Sequence, residues 1–206
     1  MRVLVAFDKF KDALSAREAC DTAAQALRTR HPDWEIDPSP LTDGGDGFCD
    51  VLCERVAGRI EPVEVDGPRL TPVVAEYGMV APQSLPPAVR QCLDARDPVA
   101  VTELASASEL DLLSAPARGP WLATTLGTGQ LLLAAAREQP ALVLLGIGGS
   151  ATNDLGLGAL AAHIFAGSLG VPPDDPHHAI KPPGLPLDEA LRHTALLLDA
   201  AVARRF

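Results

Sequence analysis

The sequence predicts an α/β protein with a mostly parallel, Rossmann-like sheet and flanking helices, together with part of a second, mixed α/β domain. Short apolar runs at 2–7 and 141–145 are typical of buried strands, and each leads through a polar turn towards a helical segment. A third region, 59–80, carries two β-rich runs joined by Asp66-Gly67-Pro68-Arg69, which predicts an antiparallel hairpin. The hairpin interrupts the alternation of strands and helices.

This interruption divides the chain into three expected parts. Residues 1–60 form a first α/β lobe, and residues 61–170 form a second α/β lobe that contains a glycine-rich turn. The remainder is expected to be a proline-rich linker at 171–186 and an amphipathic terminal helix at 187–206.

Within the two lobes, hydrophobic periodicity and breaker residues predict each element in turn. Ser15 and Glu18 form a capping box that begins a helix, and His31-Pro32 ends it. The other expected elements are a first, central strand at 2–7, a strand at 34–41, a helix at 48–56, an irregular stretch at 81–97, a strand at 99–104, a helix body at 130–139, a strand at 141–145 and a helix from 151 onward.

Composition limits the classes of partner. The chain has 206 residues, 47% of them hydrophobic, and a net charge of −10, which argues against nucleic acid or an anionic membrane bound over a broad surface.

The four cysteines show no metal-ligand spacing and are expected to be small buried residues of a reduced, cytoplasmic protein. An apolar run of membrane-spanning length and a signal peptide are both lacking in the sequence.

The glycine-rich turn at 146–154 is the strongest candidate for a binding site. Glycines let a phosphate approach the backbone, and short polar side chains add donors at the positive end of the helix expected to follow. The candidate phosphate-binding residues are Gly146, Gly148, Gly149, Ser150, Thr152 and Asn153. Asp154 adds a carboxylate that could hold a divalent metal beside the phosphates. The alternative is a turn whose glycines serve only close packing.

Three other strand or helix ends carry candidate residues. Asp8, Lys9 and Lys11 follow the first strand, at the end where open α/β sheets bind ligands, although a solvated loop would look the same. The second strand leads into Asp43, Gly44, Gly45, Asp46 and Gly47, for which an ordinary turn and helix cap is the alternative. Hydroxyl residues and glycines at 124–129, among them Gly127, Thr128 and Gly129, open a further helix, where they could bind an anion or a polyol or serve only as a helix cap.

Five sequence blocks occur in the order found in one known family. The blocks are FDKFKDALSA at 7–16, PLTDGGDGF at 40–48, ELASASEL at 103–110, TTLGTGQLL at 124–132 and GIGGSATNDLGLG at 146–158. In these blocks the chain resembles the bacterial glycerate kinase family, of the glycerate 2-kinase type. The stretch GIGGSATND is close to diagnostic of that family.

The resemblance implies a kinase that uses ATP and Mg²⁺ to phosphorylate D-glycerate, giving 2-phosphoglycerate, with 3-phosphoglycerate as the alternative product. It also implies two α/β domains with the site between them. A homodimer is a possible assembly. Asp43 is then assigned to orient or deprotonate the attacking hydroxyl, and Lys11 to offset phosphate or carboxylate charge. The residues assigned to the substrate are Asp8, Lys9, Gly44, Gly45, Asp46, Gly127, Thr128 and Gly129.

The resemblance is expected to cover about residues 1–165, whereas family members continue further and complete the first lobe with a C-terminal part. We therefore expect a truncated chain, and an inactive, ligand-binding remnant of a glycerate kinase is an open alternative. A second alternative is a nicotinamide-dependent oxidoreductase, because Gly146, Gly148 and Ala151 also satisfy a dinucleotide-binding pattern. That pattern requires an acid after a later strand, but Asp174 and Asp175 fall in the proline-rich stretch.

Overall fold

A computed structural model describes residues 1–168, except 12 and 94, with side chains given as far as residue 162. The strands are β1 (Arg2–Val5), β2 (Glu35–Pro38), β3 (Arg59–Asp66), β4 (Pro72–Val80), β5 (Val99–Glu103) and β6 (Leu142–Gly146). The helices are α1 (Ala16–Arg30), α2 (Phe48–Arg55), α3 (Pro87–Cys92), α4 (Ala105–Ser108), α5 (Leu126–Arg137) and α6 (Leu157–Ser168). The predicted linker and terminal helix lie outside the described residues.

A parallel pair of strands, β1 and β2, forms a small first sheet with α1 packed against it. The predicted capping box is confirmed, since the Ser15 hydroxyl accepts from the Glu18 N–H at 3.2 Å and the Glu18 carboxylate accepts from the Ser15 N–H at 2.8 Å. The prediction that the first strand is central was wrong for the described residues, because β1 pairs only with β2 there.

The second sheet has the strand order β3-β4-β5-β6, with antiparallel β3/β4 and β4/β5 pairs and a parallel β5/β6 pair. The predicted hairpin is confirmed, and its two strands pair as far as Asp66 and Pro72. The α/β class is also confirmed, although the larger sheet is mixed.

Helices cover both faces of this larger sheet because side chains alternate along its strands. Tyr77 and Met79 of β4 pack in a core with Leu131 of α5. Val80 and Val101 pack on the other face with buried cysteines of α2. Helix α2 thus follows the first sheet in sequence but packs on the second one.

Two parts of the chain differ from the predicted elements. The stretch at 81–97 contains a short helix, α3, and not only irregular chain. Helix α6 begins at Leu157 and not near residue 151, because Gly149, Leu155 and Gly156 all have positive φ angles, which a right-handed helix cannot contain. The residues between β6 and α6 therefore form a loop.

The described residues include no helix that is both long enough and apolar enough to span a bilayer. Three of the four cysteines, Cys20, Cys49 and Cys53, are buried free thiols as predicted. Cys92 is the exception, because it is an exposed thiol on α3.

Candidate functional site

Two glycine-rich turns, one after β2 and one after β6, meet backbone to backbone. The Gly148 N–H donates to the Gly44 carbonyl oxygen at 2.8 Å. A Cβ added to Gly148 would lie 2.7 Å from the Gly45 Cα, and one added to Gly146 would lie 2.6 Å from the Gly44 oxygen. The contact between the two turns therefore requires glycine at 146 and 148. For these two residues the geometry favours close packing, the alternative to phosphate binding.

The loop beyond Gly148 keeps open donors. Gly149, Ser150 and Asn153 are exposed, and their N–H groups donate to no atom of the described residues. The Ser150 and Thr152 hydroxyls are hydrogen-bonded to each other at 2.7 Å. Because α6 begins only at Leu157, these donors do not lie at the helix N-terminus that the sequence predicts, and the helix dipole does not act on them directly. Open N–H groups in an exposed loop remain suited to an anion.

Asp154 is engaged by the ends of two helices. Its carboxylate accepts hydrogen bonds from the Thr125 N–H at 2.8 Å and from the Gly156 and Gly158 N–H groups at 3.1 Å each. The Thr124 and Thr125 hydroxyls donate to it as well. The carboxylate therefore joins the start of α5 to the start of α6.

A metal site finds no support in this geometry. Among the side chains that the structure describes, no three His, Cys, Asp or Glu residues are grouped so that they could hold a metal ion. The Asp154 oxygens already receive several donors and do not fit the open carboxylate that a magnesium ligand needs. The predicted role of Asp154 in metal binding therefore stays a prediction.

The first turn of α5 is occupied by packing. A Cβ on Gly127 would overlap the Asp66 carbonyl oxygen, and one on Gly129 would lie 2.7 Å from the Ala162 Cβ. Thr128 is 2% exposed, and its hydroxyl is hydrogen-bonded to that of Ser108 at 2.8 Å. The predicted part of Gly127, Thr128 and Gly129 in substrate binding has no support in this arrangement and stays a prediction.

The turn after β2 brings several predicted residues together. The exposed Asp43 accepts a hydrogen bond from the Gly45 N–H at 3.0 Å. A Cβ on Gly45 would lie 3.1 Å from Asp43 Oδ1 and 3.5 Å from Lys9 Nζ, so this carboxylate and this ammonium lie on the same side of the turn. The Lys9 ammonium donates to the Asp46 carbonyl oxygen at 2.8 Å and lies 3.4 Å from its carboxylate. Asp8 accepts from the Lys9 N–H at 2.7 Å.

Lys9 also lines a neighbouring cleft of about 320 Å³. The second predicted lysine, Lys11, lies in the same cleft and is exposed. Asp46 and Glu109 contribute carboxylates to the wall, and Phe10 adds apolar surface. The cleft thus offers both signs of charge to a small polar molecule beside the paired turns.

Two glutamates that lie near the paired turns, Glu103 and Glu109, were missing from the predicted site. Glu103, at the end of β5, is 6% exposed and accepts hydrogen bonds from the Cys49 N–H at 2.8 Å and the Gly47 N–H at 3.3 Å. It supplies the cap that Gly47 cannot supply to α2. Burial raises the pKa of the Glu103 carboxyl, although both N–H bonds oppose this shift. Its position at a strand end was the available signal.

Glu109 lies against the other turn. A Cβ on Gly149, which has a φ of 76°, would lie 2.6 Å from Glu109 Oε1. Burial raises the pKa of Glu109, the Asp46 charge raises it further, and the Lys9 charge lowers it. Glu109 belongs to the block at 103–110, but strand and helix patterns give no reason to single it out.

Comparisons with known proteins agree with this arrangement of blocks. The sequence model of the glycerate kinase family matches residues 3–197, further along the chain than the resemblance at 1–165 suggested. A glycerate kinase of Bacillus cereus is 37% identical over 162 residues, which are 79% of this chain and 39% of that protein. The glycerate 2-kinase of Escherichia coli is 32% identical over the same shares.

A solved structure is similar as well. The crystal structure of a Salmonella typhimurium LT2 protein assigned as glycerate kinase 2 matches with a TM-score of 0.60 and 37% identity, over 79% of this chain and 40% of that one. The chain spans about two fifths of the length of the curated relatives named above. The extent of the family match and the level of identity together show that the chain belongs to the glycerate kinase family.

Proposed function

We propose that this chain forms the part of a glycerate kinase that transfers the γ-phosphoryl group of ATP to a hydroxyl of D-glycerate, giving 2-phosphoglycerate. The observation that carries the proposal is the direct contact between the two glycine-rich turns, through the Gly148 N–H and the Gly44 carbonyl. The loop with the open N–H groups of Gly149, Ser150 and Asn153 adjoins the cleft that contains Lys9 and Lys11, because Gly149 lies against Glu109 of that cleft. Donors for phosphate and cations for an organic acid thus lie side by side.

Phosphoryl transfer depends on positioning and on neutralisation of charge more than on covalent chemistry by the protein. In the proposed site, the N–H groups of Gly149, Ser150 and Asn153 bind phosphate oxygens. Lys11 binds the carboxylate of the acid, and Lys9 holds the turn at Asp46. Asp43 orients or deprotonates the attacking hydroxyl, and it is exposed next to the Lys9 ammonium.

Magnesium enters the proposal as the companion of ATP. Mg²⁺ keeps several waters and needs few protein carboxylates when phosphates also bind it. Its contribution would be to neutralise charge on the phosphate oxygens.

The competing proposal is a chain that binds ligand without turnover. It is favoured by one observation, namely that the chain corresponds to about two fifths of its curated relatives. The nicotinamide-dependent oxidoreductase has no comparable support, because family membership points to glycerate kinases.

Turnover and binding can be tested separately on the full chain. ATP consumption with D-glycerate, followed by ³¹P NMR of the product, should show 2-phosphoglycerate, and MgATP should raise the melting temperature. A thermal shift without turnover would favour the binding-only proposal. If MgATP causes no thermal shift and D-glycerate causes no ATP consumption, both the kinase proposal and the binding-only proposal are overturned.

A charge-matched pair of variants tests the cleft. Lys11→Ala should weaken D-glycerate binding by about tenfold, as expected for one charge-assisted hydrogen bond. Arg59→Ala removes the same charge from β3, where Arg59 pairs with Glu61 and Glu138, and should leave binding unchanged. Equal affinities for the two variants would contradict the role of Lys11.

Three further features belong to the same proposal. We propose a cytoplasmic enzyme that binds no nucleic acid, consistent with its net charge of −10. We also propose a homodimer, which light scattering coupled to size-exclusion chromatography tests.

A further inference from the structure

The backbone holds Glu109 in a fixed place beside the loop that follows β6. The Leu110 N–H donates to the Gly149 oxygen at 3.2 Å, and the Ala151 N–H donates to the Ser108 oxygen at 2.8 Å. These two bonds flank a bridge between Glu109 and Ser150. Hydrogen bonds on both sides of Glu109 therefore fix its backbone directly next to the proposed phosphate donors.

The Glu109 carboxylate is half-buried and has no hydrogen bond or ion pair with any residue that the structure describes. Burial raises its pKa, and the nearby Asp46 charge adds to this effect. A carboxylate in such a wall is stabilised when a ligand brings a donor to it. Glu109 thus has acceptor capacity that the described chain leaves unused.

The same cleft holds an equally unused cation. Lys11 makes no ion pair or hydrogen bond within the described part of the chain, whereas Lys9 is already paired with Asp46. The volume of about 320 Å³ is at the small end of the range for ligand sites, roughly 300–1,000 Å³. A small ligand that carries an anionic group for Lys11 and a neutral hydrogen-bond donor for Glu109 matches this cleft.

We propose that Glu109 accepts a hydrogen bond from a hydroxyl of a small hydroxy acid whose carboxylate lies against Lys11. This inference rests on the proposed function, and it assigns to Glu109 the recognition of the hydroxyl pattern of the substrate. Its position against Gly149 also places that hydroxyl near the phosphate donors.

Other donors fit the cleft less well. A cationic amine would approach Glu109 in a cleft that already contains the ammonium groups of Lys9 and Lys11. A metal ion held by protein side chains alone would need more ligands than the described residues group together. A hydroxyl is neutral and donates one hydrogen bond, so it can bind the Glu109 carboxylate without adding positive charge beside Lys9 and Lys11.

The test uses the full chain and isothermal titration with three acids. D-glycerate has both hydroxyls, D-lactate lacks the 3-hydroxyl, and 3-hydroxypropionate lacks the 2-hydroxyl. The wild type should bind D-glycerate about tenfold or more tightly than at least one of the two monohydroxy acids. Glu109→Ala should weaken D-glycerate binding by about 10- to 100-fold and remove that preference.

Two variants serve as controls. Glu109→Gln keeps a carbonyl acceptor and should retain part of the preference. Glu138→Ala removes a carboxylate that lies outside this cleft, where Glu138 is paired with Arg59, and should keep the full preference. Circular dichroism of each variant establishes that it is folded.

Distinct outcomes overturn distinct statements. An unchanged preference in folded Glu109→Ala, or a gain in affinity for all three acids alike, would show that Glu109 recognises no hydroxyl. Failure of the wild type to bind D-glycerate while MgATP still shifts its melting temperature would overturn the proposed substrate. The first result leaves the kinase proposal standing, and the second does not.

Discussion

The carboxylate of Glu103 accepts a 2.8 Å hydrogen bond from the N–H of Cys49, 54 residues earlier in the chain. This bond caps α2 from the end of β5 and holds the turn at 43–47 against the larger sheet. The first glycine-rich turn is therefore positioned by a residue of the second part of the chain.

Replacing Glu103 should destabilise the fold. Glu103→Ala leaves the Cys49 and Gly47 N–H groups without their acceptor, so the free energy of unfolding should fall by about 1–3 kcal/mol. Urea denaturation followed by circular dichroism measures this loss. Glu138→Ala is the control, because Glu138 makes an exposed ion pair with Arg59 and should change stability by less than about 1 kcal/mol. Similar losses for both variants would contradict the capping role.

Glu103 should also give stability a specific pH dependence. Burial raises its folded pKa above the ordinary value of 4.5, so the folded state binds more protons than the unfolded state between those two values. The stability of the wild type relative to Glu103→Gln should thus fall as the pH rises through that window, and then level off. Urea unfolding of both proteins from pH 4 to pH 7 measures the difference. A difference that grows with pH would show the opposite sign of shift.

The start of α5 should tolerate no side chain at Gly127. A Cβ there would overlap the Asp66 carbonyl oxygen, so Gly127→Ala should lower stability by about 1–3 kcal/mol, or more than about 3 °C in melting temperature. Gly119→Ala is the matched control, because a Cβ there meets nothing within 4 Å. Thermal unfolding compares the two, and equal melting temperatures would refute the close contact.

The cysteines should divide into one reactive and three protected thiols. Cys92 is exposed, whereas Cys20, Cys49 and Cys53 are buried. In native buffer, a thiol reagent such as DTNB should therefore modify about one thiol per chain rapidly, and all of them in denaturant. Cys92→Ser should abolish the rapid phase. A second rapid thiol in the native protein would contradict the burial of the other three.

Local features were predictable from the sequence. The capping box of Ser15 and Glu18 and the hairpin turn at Asp66 depend on residues close together in the chain, and both were predicted correctly. The glycine-rich turns were also located correctly, because glycine clusters after strands are a strong signal. Side-chain type and spacing were enough in these cases.

Long-range contacts were not predictable in the same way. A glycine pattern does not tell whether an approaching atom belongs to a ligand or to another turn, as at Gly148 and Gly127. The late start of α6 depends on the positive φ angle of Leu155, which is unusual for leucine. The roles of Glu103 and Glu109 arise from neighbours that are distant in sequence.

The hydrogen bond between Gly148 and Gly44 has a consequence for how the protein folds. It closes a long loop that contains all four strands of the larger sheet, so the entropy of loop closure opposes it until those strands have assembled. The paired turns are therefore a late product of folding. A molecule arrested with its sheet formed and its turns apart would have nearly all of the native secondary structure, yet it would lack the proposed ligand-binding surface.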